Sequence, residues 1–334
     1  MPDPQDIGRL GHRYFPIIRN NSTAEEETIS RAQNIEFRGT YTTEKIYELG
    51  RVGPIGSAQD PADLAVTWEV NLYEELRSEF VLSGKDVDVD TSYNMGDLIG
   101  ENDNELYLLI LDTAGNLDDE VVYKDMTVAR ITWRFQVGAV CTTTIEVEGS
   151  GGSWLTTPAH GAQTLDPTSI GGAKGKEARI WFGDSAGSGP TAADRAFRLQ
   201  SFTIQAAFPL ETVRELGRRQ IVGKLANPVD VTVDFDVLAA DYQPHNSFFE
   251  ATGADYDLTD PKLVDIIYVR LYDPDLAEGN TAIRAWKIEN CRATDTTPQR
   301  AQVRGLATSR YALTSEKETT TDSGGLIVYK GDVS

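Results

Sequence analysis

Residues 31–71 read RAQNIEFRGTYTTEKIYELGRVGPIGSAQDPADLAVTWEVN, and residues 198–238 read RLQSFTIQAAFPLETVRELGRRQIVGKLANPVDVTVDFDVL. Laid over each other at an offset of 167, without a gap, the two stretches share twelve identities in 41 positions. Arg31, Gln33, Glu44, Glu48, Leu49, Gly50 and Arg51 fall on Arg198, Gln200, Glu211, Glu215, Leu216, Gly217 and Arg218. Gly56, Pro61, Asp63, Val66 and Val70 fall on Gly223, Pro228, Asp230, Val233 and Val237. Shared Gly and Pro punctuation over so long an ungapped run marks a tandem duplication, and a repeat sets the architecture before any single motif does. Upstream, Tyr14-Phe15 lies over Trp181-Phe182. Downstream the register slips while the character persists: 106–112 resembles 266–273, and 131–149 resembles 288–305.

Inside the repeat, Val66, Trp68, Val70 and Leu72 alternate with Thr67, Glu69 and Asn71, and Val231, Val233, Phe235 and Val237 with Thr232, Asp234 and Asp236. Period two gives one apolar and one polar face, the pattern of an antiparallel strand wet on one side. Further strands are expected at 35–41, 106–112, 127–137 and 141–147, and at their counterparts. One short helix per half is expected, at 43–49 and 210–216. Glu44 and Glu211 would sit in the first turn, where a carboxylate favours the helix dipole. Pro209 suits a helix start, and Gly50 and Gly217 suit a left-handed C-terminal cap. Glu48 with Arg51, and Glu215 with Arg218, are spaced for an exposed ion pair of at most about 1 kcal/mol.

Around the repeats the expected organisation is a first module at 1–150 with an N-terminal arm, a Gly-rich linker at 151–177, a second module at 178–314 and a tail at 315–334. Gly149-Ser150-Gly151-Gly152 and Gly171-Gly172-Ala173-Lys174-Gly175 bracket the linker. Loops on rigid sheets commonly carry interactions. The arm, the segment 83–104, the linker and the tail are therefore expected contact elements.

Composition narrows the function. Of 334 residues, 40% are hydrophobic and 25% charged, ordinary for a folded chain. The 52 acidic against 31 basic residues leave a formal charge of -21. Such a chain lacks the cations that grip phosphates. It should stay soluble and repel its own copies at low salt. Asp outnumbers Glu by 29 to 23 and Arg outnumbers Lys by 21 to 10, a balance that fits either an acidic protein of a halophilic cell or an ordinary acidic protein. No apolar run approaches the roughly 18 to 20 residues that span a bilayer, and residues 1–6 lack the basic flank and apolar stretch of a secretory signal. Cys141 and Cys291 are expected to be reduced and buried. His12, His160 and His245 have no zinc-site spacing.

No catalytic signature survives inspection, and neither a catalytic residue nor a cofactor is expected. Lys174-Gly175-Lys176 lacks the leading Gly and the trailing Ser or Thr of a phosphate loop. Asp86, Asp88 and Asp90 begin like a calcium loop, but Thr91 stands in place of the turn Gly and Asp97 in place of the bidentate Glu. They are weak metal candidates.

The succession of an extended strand, Glu-x-x-x-Glu-Leu-Gly-Arg, a Gly or Pro turn, Pro-x-Asp and a Val-rich alternating strand resembles the major tail tube proteins of long-tailed viruses. It occurs twice, at 44–72 and 211–238. The resemblance implies a mainly β fold, with two tandem β-sandwich or barrel modules, each with one short helix. It also implies a structural virion protein. Three two-domain chains would form a pseudo-sixfold ring, and stacked rings would form the hollow tail tube that conducts the viral genome. The implied partners are the chain itself, other tail proteins at the tube ends, and DNA that passes without tight binding. The implied location is the virion tail, after assembly in the host cytoplasm, without membrane insertion. In this reading Thr67, Glu69, Asn71, Thr232, Asp234 and Asp236 are candidates to face the lumen. The arm or linker would bridge stacked rings. Alternatives are a distal tail or tail-terminator ring built on the same module, a β-rich carbohydrate-active hydrolase with an acidic catalytic pair, or a cell-surface binding module.

Overall fold

A computed structural model of the chain describes residues 14–29, 32–40, 43–47, 54–59, 63–72, 77–86, 88–99, 103–111, 117–155, 157–160, 173–183, 199–214, 221–226, 228–238, 248–252, 255–272, 282–300, 308–316 and 325–331. The first half runs β1 (Tyr14–Asn20), β2 (Glu25–Thr28), β3 (Ala32–Thr40), β4 (Thr43–Tyr47), β5 (Pro54–Gln59), β6 (Asp63–Asn71), α1 (Arg77–Leu82), β7 (Ser92–Asn94), α2 (Met95–Ile99), β8 (Asn104–Leu111), β9 (Leu117–Gln136), β10 (Thr142–Gly149) and β11 (Gly151–Leu155). The second runs β12 (Ala178–Gly183), β13 (Leu199–Ala207), β14 (Leu210–Arg214), β15 (Ile221–Ala226), β16 (Asp230–Leu238), β17 (Phe249–Thr252), β18 (Asp255–Pro261), β19 (Leu263–Tyr272), β20 (Ala282–Arg300), β21 (Thr308–Ser315) and β22 (Leu326–Lys330).

The repeat read in the sequence is a repeat of structure. β3, β4, β5 and β6 recur as β13, β14, β15 and β16 with every boundary shifted by 167 residues. β10 recurs as β21 with a shift of 166. Pairing recurs as well: β3-β6-β10-β9 in the first half and β13-β16-β21-β20 in the second, all antiparallel. A second layer repeats too. β1 and β11 attach through β8 and β9 in the first half, as β12 and β22 do through β19 and β20 in the second.

Each long strand serves both layers by bending. The first part of β9 pairs with β8 and β11, and its last part with β10. β20 divides its pairing in the same way between β19 with β22 and then β21. At the junctions stand Asp125 (φ 54°) and Asn290 (φ 53°), both in left-handed backbone. Asp and Asn are the side-chain-bearing residues that accept this conformation most readily.

The expected period-two burial holds in both Val-rich strands. Val66, Trp68 and Val70 are buried while Thr67, Glu69 and Asn71 are partly exposed, and Val231, Val233, Phe235 and Val237 alternate likewise with Thr232, Asp234 and Asp236. One continuous apolar core runs through both halves. Trp133 of β9 meets Trp286 of β20 edge to face at 6.4 Å, and Phe135 meets Trp286 at 5.1 Å, the offset geometry that aromatic quadrupoles favour. Cys141 and Cys291 are both buried free thiols.

The mainly β class is as expected, but the helices are not where they were expected. Residues 43–47 and 210–214 are strands, each paired in a hairpin, Glu44 opposite Ala58 and Glu211 opposite Leu225. The hairpin gives their backbone groups partners that an isolated two-turn helix would lack, and helices so short are marginal in water. The two named helices, α1 and α2, lie instead between β6 and β8 in the first half. Neither is long and apolar enough to cross a membrane, nor is any other helix among the described residues.

Two of the expected contact elements make contacts with the body of the chain itself. β7, inside 83–104, pairs with β22 near the C-terminus, Val328 opposite Tyr93. At the end of the linker stretch, Ala173 donates to the Leu72 carbonyl at 2.9 Å and accepts from Cys141 N at 2.7 Å. A Cβ on Gly175 would lie 2.0 Å from the Gln136 carbonyl oxygen, so only glycine fits that approach.

Candidate assembly interface

The most extended of the described joins between the sheets of the two halves is a strand seam. β13, the outer strand of the second repeat, pairs antiparallel with the last part of β9 in the first. Phe202 stands opposite Phe135, Ile204 opposite Trp133 and Ala206 opposite Ile131, and all six are buried. The alternate pairs are polar: Ser201 with Gln136, Thr203 with Arg134, Gln205 with Thr132. The seam thus carries both the core and the polar face across the boundary between repeats.

A hairpin arm reinforces it. β14 and β15 project from the second repeat, and Lys224 of β15 reaches the first, with Nζ 2.5 Å from Glu148 Oε2 and 3.6 Å from Asp63 Oδ1. The Lys224 side chain is only 3% exposed, whereas both carboxylates keep about a third or more of their surface in water.

Beneath the seam lies a buried polar cluster. Glu79 of α1 is fully buried and is bound by the Arg284 guanidinium, by the Tyr93 hydroxyl, and by Trp133 Nε1 at 3.3 Å. Arg284 also lies over the Trp286 ring, 5.2 Å from its centroid. Burial, followed by the Glu79 charge, pushes the Tyr93 hydroxyl well above its ordinary range, so it remains a donor. Nothing in the sequence marks this cluster, because one more glutamate carries no signal in so acidic a chain.

The lumen candidates fall on the polar face of the joined sheet, in rows that run through the seam. Glu69 lines up with Thr144, Thr132, Gln205, Thr232 and Thr314. Asn71 lines up with Thr142, Arg134, Thr203 and Asp234. Thr67 stands opposite Glu146, and Asp236 opposite Ser201 and Arg310. The face is mixed in charge. Arg130 lies 3.9 Å from Glu146, Arg310 lies 3.3 Å from Asp234, and Ser201 Oγ donates to Asp236 at 2.7 Å.

The repeat-signature residues scatter. Glu44 is in β4, Glu211 is exposed in β14 and Pro228 is exposed before β16. Glu48, Leu49, Gly50, Arg51, Pro61, Glu215, Leu216, Gly217 and Arg218 lie outside the described residues. Asp86, Asp88 and Asp90 form a local turn, in which Asp86 N donates to Asp90 Oδ2 at 2.9 Å and Asp88 N to Asp86 Oδ1 at 2.8 Å. Among the described residues no group of three or more His, Cys, Asp or Glu side chains is arranged to hold a metal ion. His160 joins another buried carboxylate, its Nδ1 2.8 Å from Glu120 Oε1, which fastens 157–160 onto β9.

No protein-family model matches the chain, and no curated protein matches it in sequence. Among solved structures, a chain of the anti-feeding prophage baseplate is similar at 9% identity and a TM-score of 0.32, covering 44% of this chain and 94% of its own. A chain of the cap that terminates the tube of the same particle is similar at 12% identity and a TM-score of 0.28, covering 52% of this chain and 97% of its own. Nearly the whole of each of those chains therefore lies over about half of this one. Likenesses this low carry no functional weight.

Proposed function

We propose that this chain is a structural protein of a virion tail: a tube subunit that assembles as stacked rings of three two-module chains around a channel for the genome. The observation that carries the reading is the edge-to-edge joining of two copies of one β module in a single chain. A module that pairs head to tail once has the geometry to do so repeatedly, and a head-to-tail contact that closes makes a ring.

Elementary geometry supports the count. Each chain contributes eight strands to the joined sheet, β3, β6, β10, β9, β13, β16, β21 and β20. Three chains would contribute twenty-four. At about 4.8 Å per strand their circumference is roughly 115 Å before tilt, a backbone diameter of roughly 37 Å, wider than a DNA duplex. Barrels of 16 to 18 strands already enclose an aqueous channel. Thr67, Glu69, Asn71, Thr232, Asp234 and Asp236 would line this one. Three chains at -21 each carry -63 formal charges. On the lining, Arg130 and Arg310 are engaged by carboxylates, and Arg134, exposed in the row through Asn71, is outweighed by the net negative charge. Phosphates passing through would find little to hold them.

Negative-stain microscopy of the purified chain over a salt series tests this reading. Hollow tubes with a regular ring repeat are the expected result, appearing as salt shortens the Debye length to about 3 Å at 1 M. Single rings that never stack would favour a terminator or distal tail protein. Monomers at every salt concentration would overturn the proposal.

A further inference from the structure

We propose that the outer edge of β3 pairs, antiparallel, with residues 295–300 of β20 in a second copy of this chain, in the register of the internal seam. This names the closing contact of the ring proposed above and rests on that reading for its closure.

Three observations carry it. First, β3 is the counterpart of β13 at the shift of 167, and residues 295–300 of β20 are the counterpart of the β9 segment that β13 joins. Thr308 pairs with Arg300 as Thr142 pairs with Arg134, and Ala312 with Asp295 as Glu146 with Arg130. Second, both are edges. Among the described residues β3 pairs only with β6, and 295–300 pairs only with β21. An exposed edge is a template for another strand. Third, burial differs at equivalent positions. In β13, Phe202, Ile204 and Ala206 are at most 1% exposed under the seam. Their counterparts in β3 are less covered: Ile35 and Phe37 pack against the core, Phe37 stacked on Tyr123, yet remain partly exposed, and Gly39 is exposed. The second repeat has a strand neighbour where the first has none among the described residues.

The partner is a second copy rather than the same chain's own far end. Closing eight strands on themselves would leave an interior just wide enough for side chains to fill. The residues of the polar face, Glu69, Asn71 and Asp234 among them, instead remain partly exposed. Transferred to the new seam, the internal register sets Thr40 opposite Asp295, Gly39 opposite Thr296, Arg38 opposite Thr297 and Glu36 opposite Arg300.

Cysteine cross-linking of the full chain tests the register. Arg38→Cys with Thr297→Cys places two thiols directly across the seam. Arg38→Cys with Asp295→Cys places them diagonally, about 7 to 8 Å apart and beyond ordinary disulfide reach. The native thiols are buried, so background coupling stays low. After mild oxidation at assembling salt, the first variant should run on non-reducing gels as a covalent ladder ending at three chains, while the second stays monomeric. Rings or tubes that form without this link, or a link formed within one chain, would overturn the seam and leave the tube reading standing. A covalent ladder from particles that never stack would support the seam and overturn the tube. A chain that neither links nor assembles would overturn both.

Discussion

Glu79 and Arg284 stand 205 residues apart in sequence and form a buried ion pair beneath the joint between the two repeats. Two charges taken out of water depend on each other, and removing one leaves the other uncompensated. Arg284→Ala is expected to destabilise the chain by about 3–5 kcal/mol, read as a fall in the urea midpoint. The double change Glu79→Leu with Arg284→Met should recover only part of that loss: it removes the uncompensated charge but leaves the Tyr93 hydroxyl and Trp133 Nε1, the two further donors to Glu79, without their acceptor. Equal losses in the single and double variants would show that the pair is incidental.

Asn290 is expected to tolerate glycine and reject valine. Its φ of 53° is open to Gly without strain. A residue with a branched Cβ meets a penalty of roughly 1–2 kcal/mol there. Equilibrium unfolding of Asn290→Gly and Asn290→Val should separate by about that amount, with the glycine variant close to the parent.

Lys224 fixes the β14–β15 arm to the first repeat through Glu148 and Asp63. Both carboxylates are partly solvated, so Lys224→Ala should weaken the docking by only about 1–2 kcal/mol. The effect should be local. Limited proteolysis within 210–226 should speed up severalfold while the main unfolding transition moves little.

The two cysteines set an alkaline limit. Burial pushes the thiols of Cys141 and Cys291 up to about 12, with Glu177 adding to the effect at Cys141. The fold holds them protonated, whereas in the unfolded chain they ionise from about pH 8.5 upward. This contribution to stability is therefore complete below that pH and is lost as pH rises towards 12. The urea midpoint of the parent should fall between roughly pH 9 and 11 more steeply than that of a Cys141→Ala, Cys291→Ala variant. At pH 8 the native thiols should resist an aromatic disulfide reagent until the chain unfolds.

Much of this architecture is legible in the sequence where one strand face is buried. Val66, Trp68 and Val70 state their own orientation, and their recurrence at Val233, Phe235 and Val237 states the duplication. The arms at 43–47 and 210–214 read as helices because a leading glutamate and a trailing glycine, Glu44 with Gly50 and Glu211 with Gly217, fit a helix over too few residues to exclude a hairpin. The partner strands β5 and β15 settle the matter only in three dimensions. Asp125 and Asn290 left a faint signal, a short polar residue recurring inside two long strand patterns. Glu79 left none, because its burial depends on β20, more than 200 residues further along the chain.

The seam between β9 and β13 is held inside one polypeptide, so it never has to form between free partners. In the proposed ring every second seam would be of this kind. Assembly would then take two associations where six separate modules need five, and each association avoided spares about 4–15 kcal/mol of lost translational and rotational freedom. The two kinds of seam also live under different histories. The internal one is never bare once the chain has folded, and it can bury Phe202, Ile204 and Ala206 without risk of mispairing. The other would wait in water for its partner, and the charged Glu36 and Arg38 along the edge of β3 suit such a guarded edge. In the proposed ring, fusion would make one edge permanent and dry while its twin stays guarded and reversible.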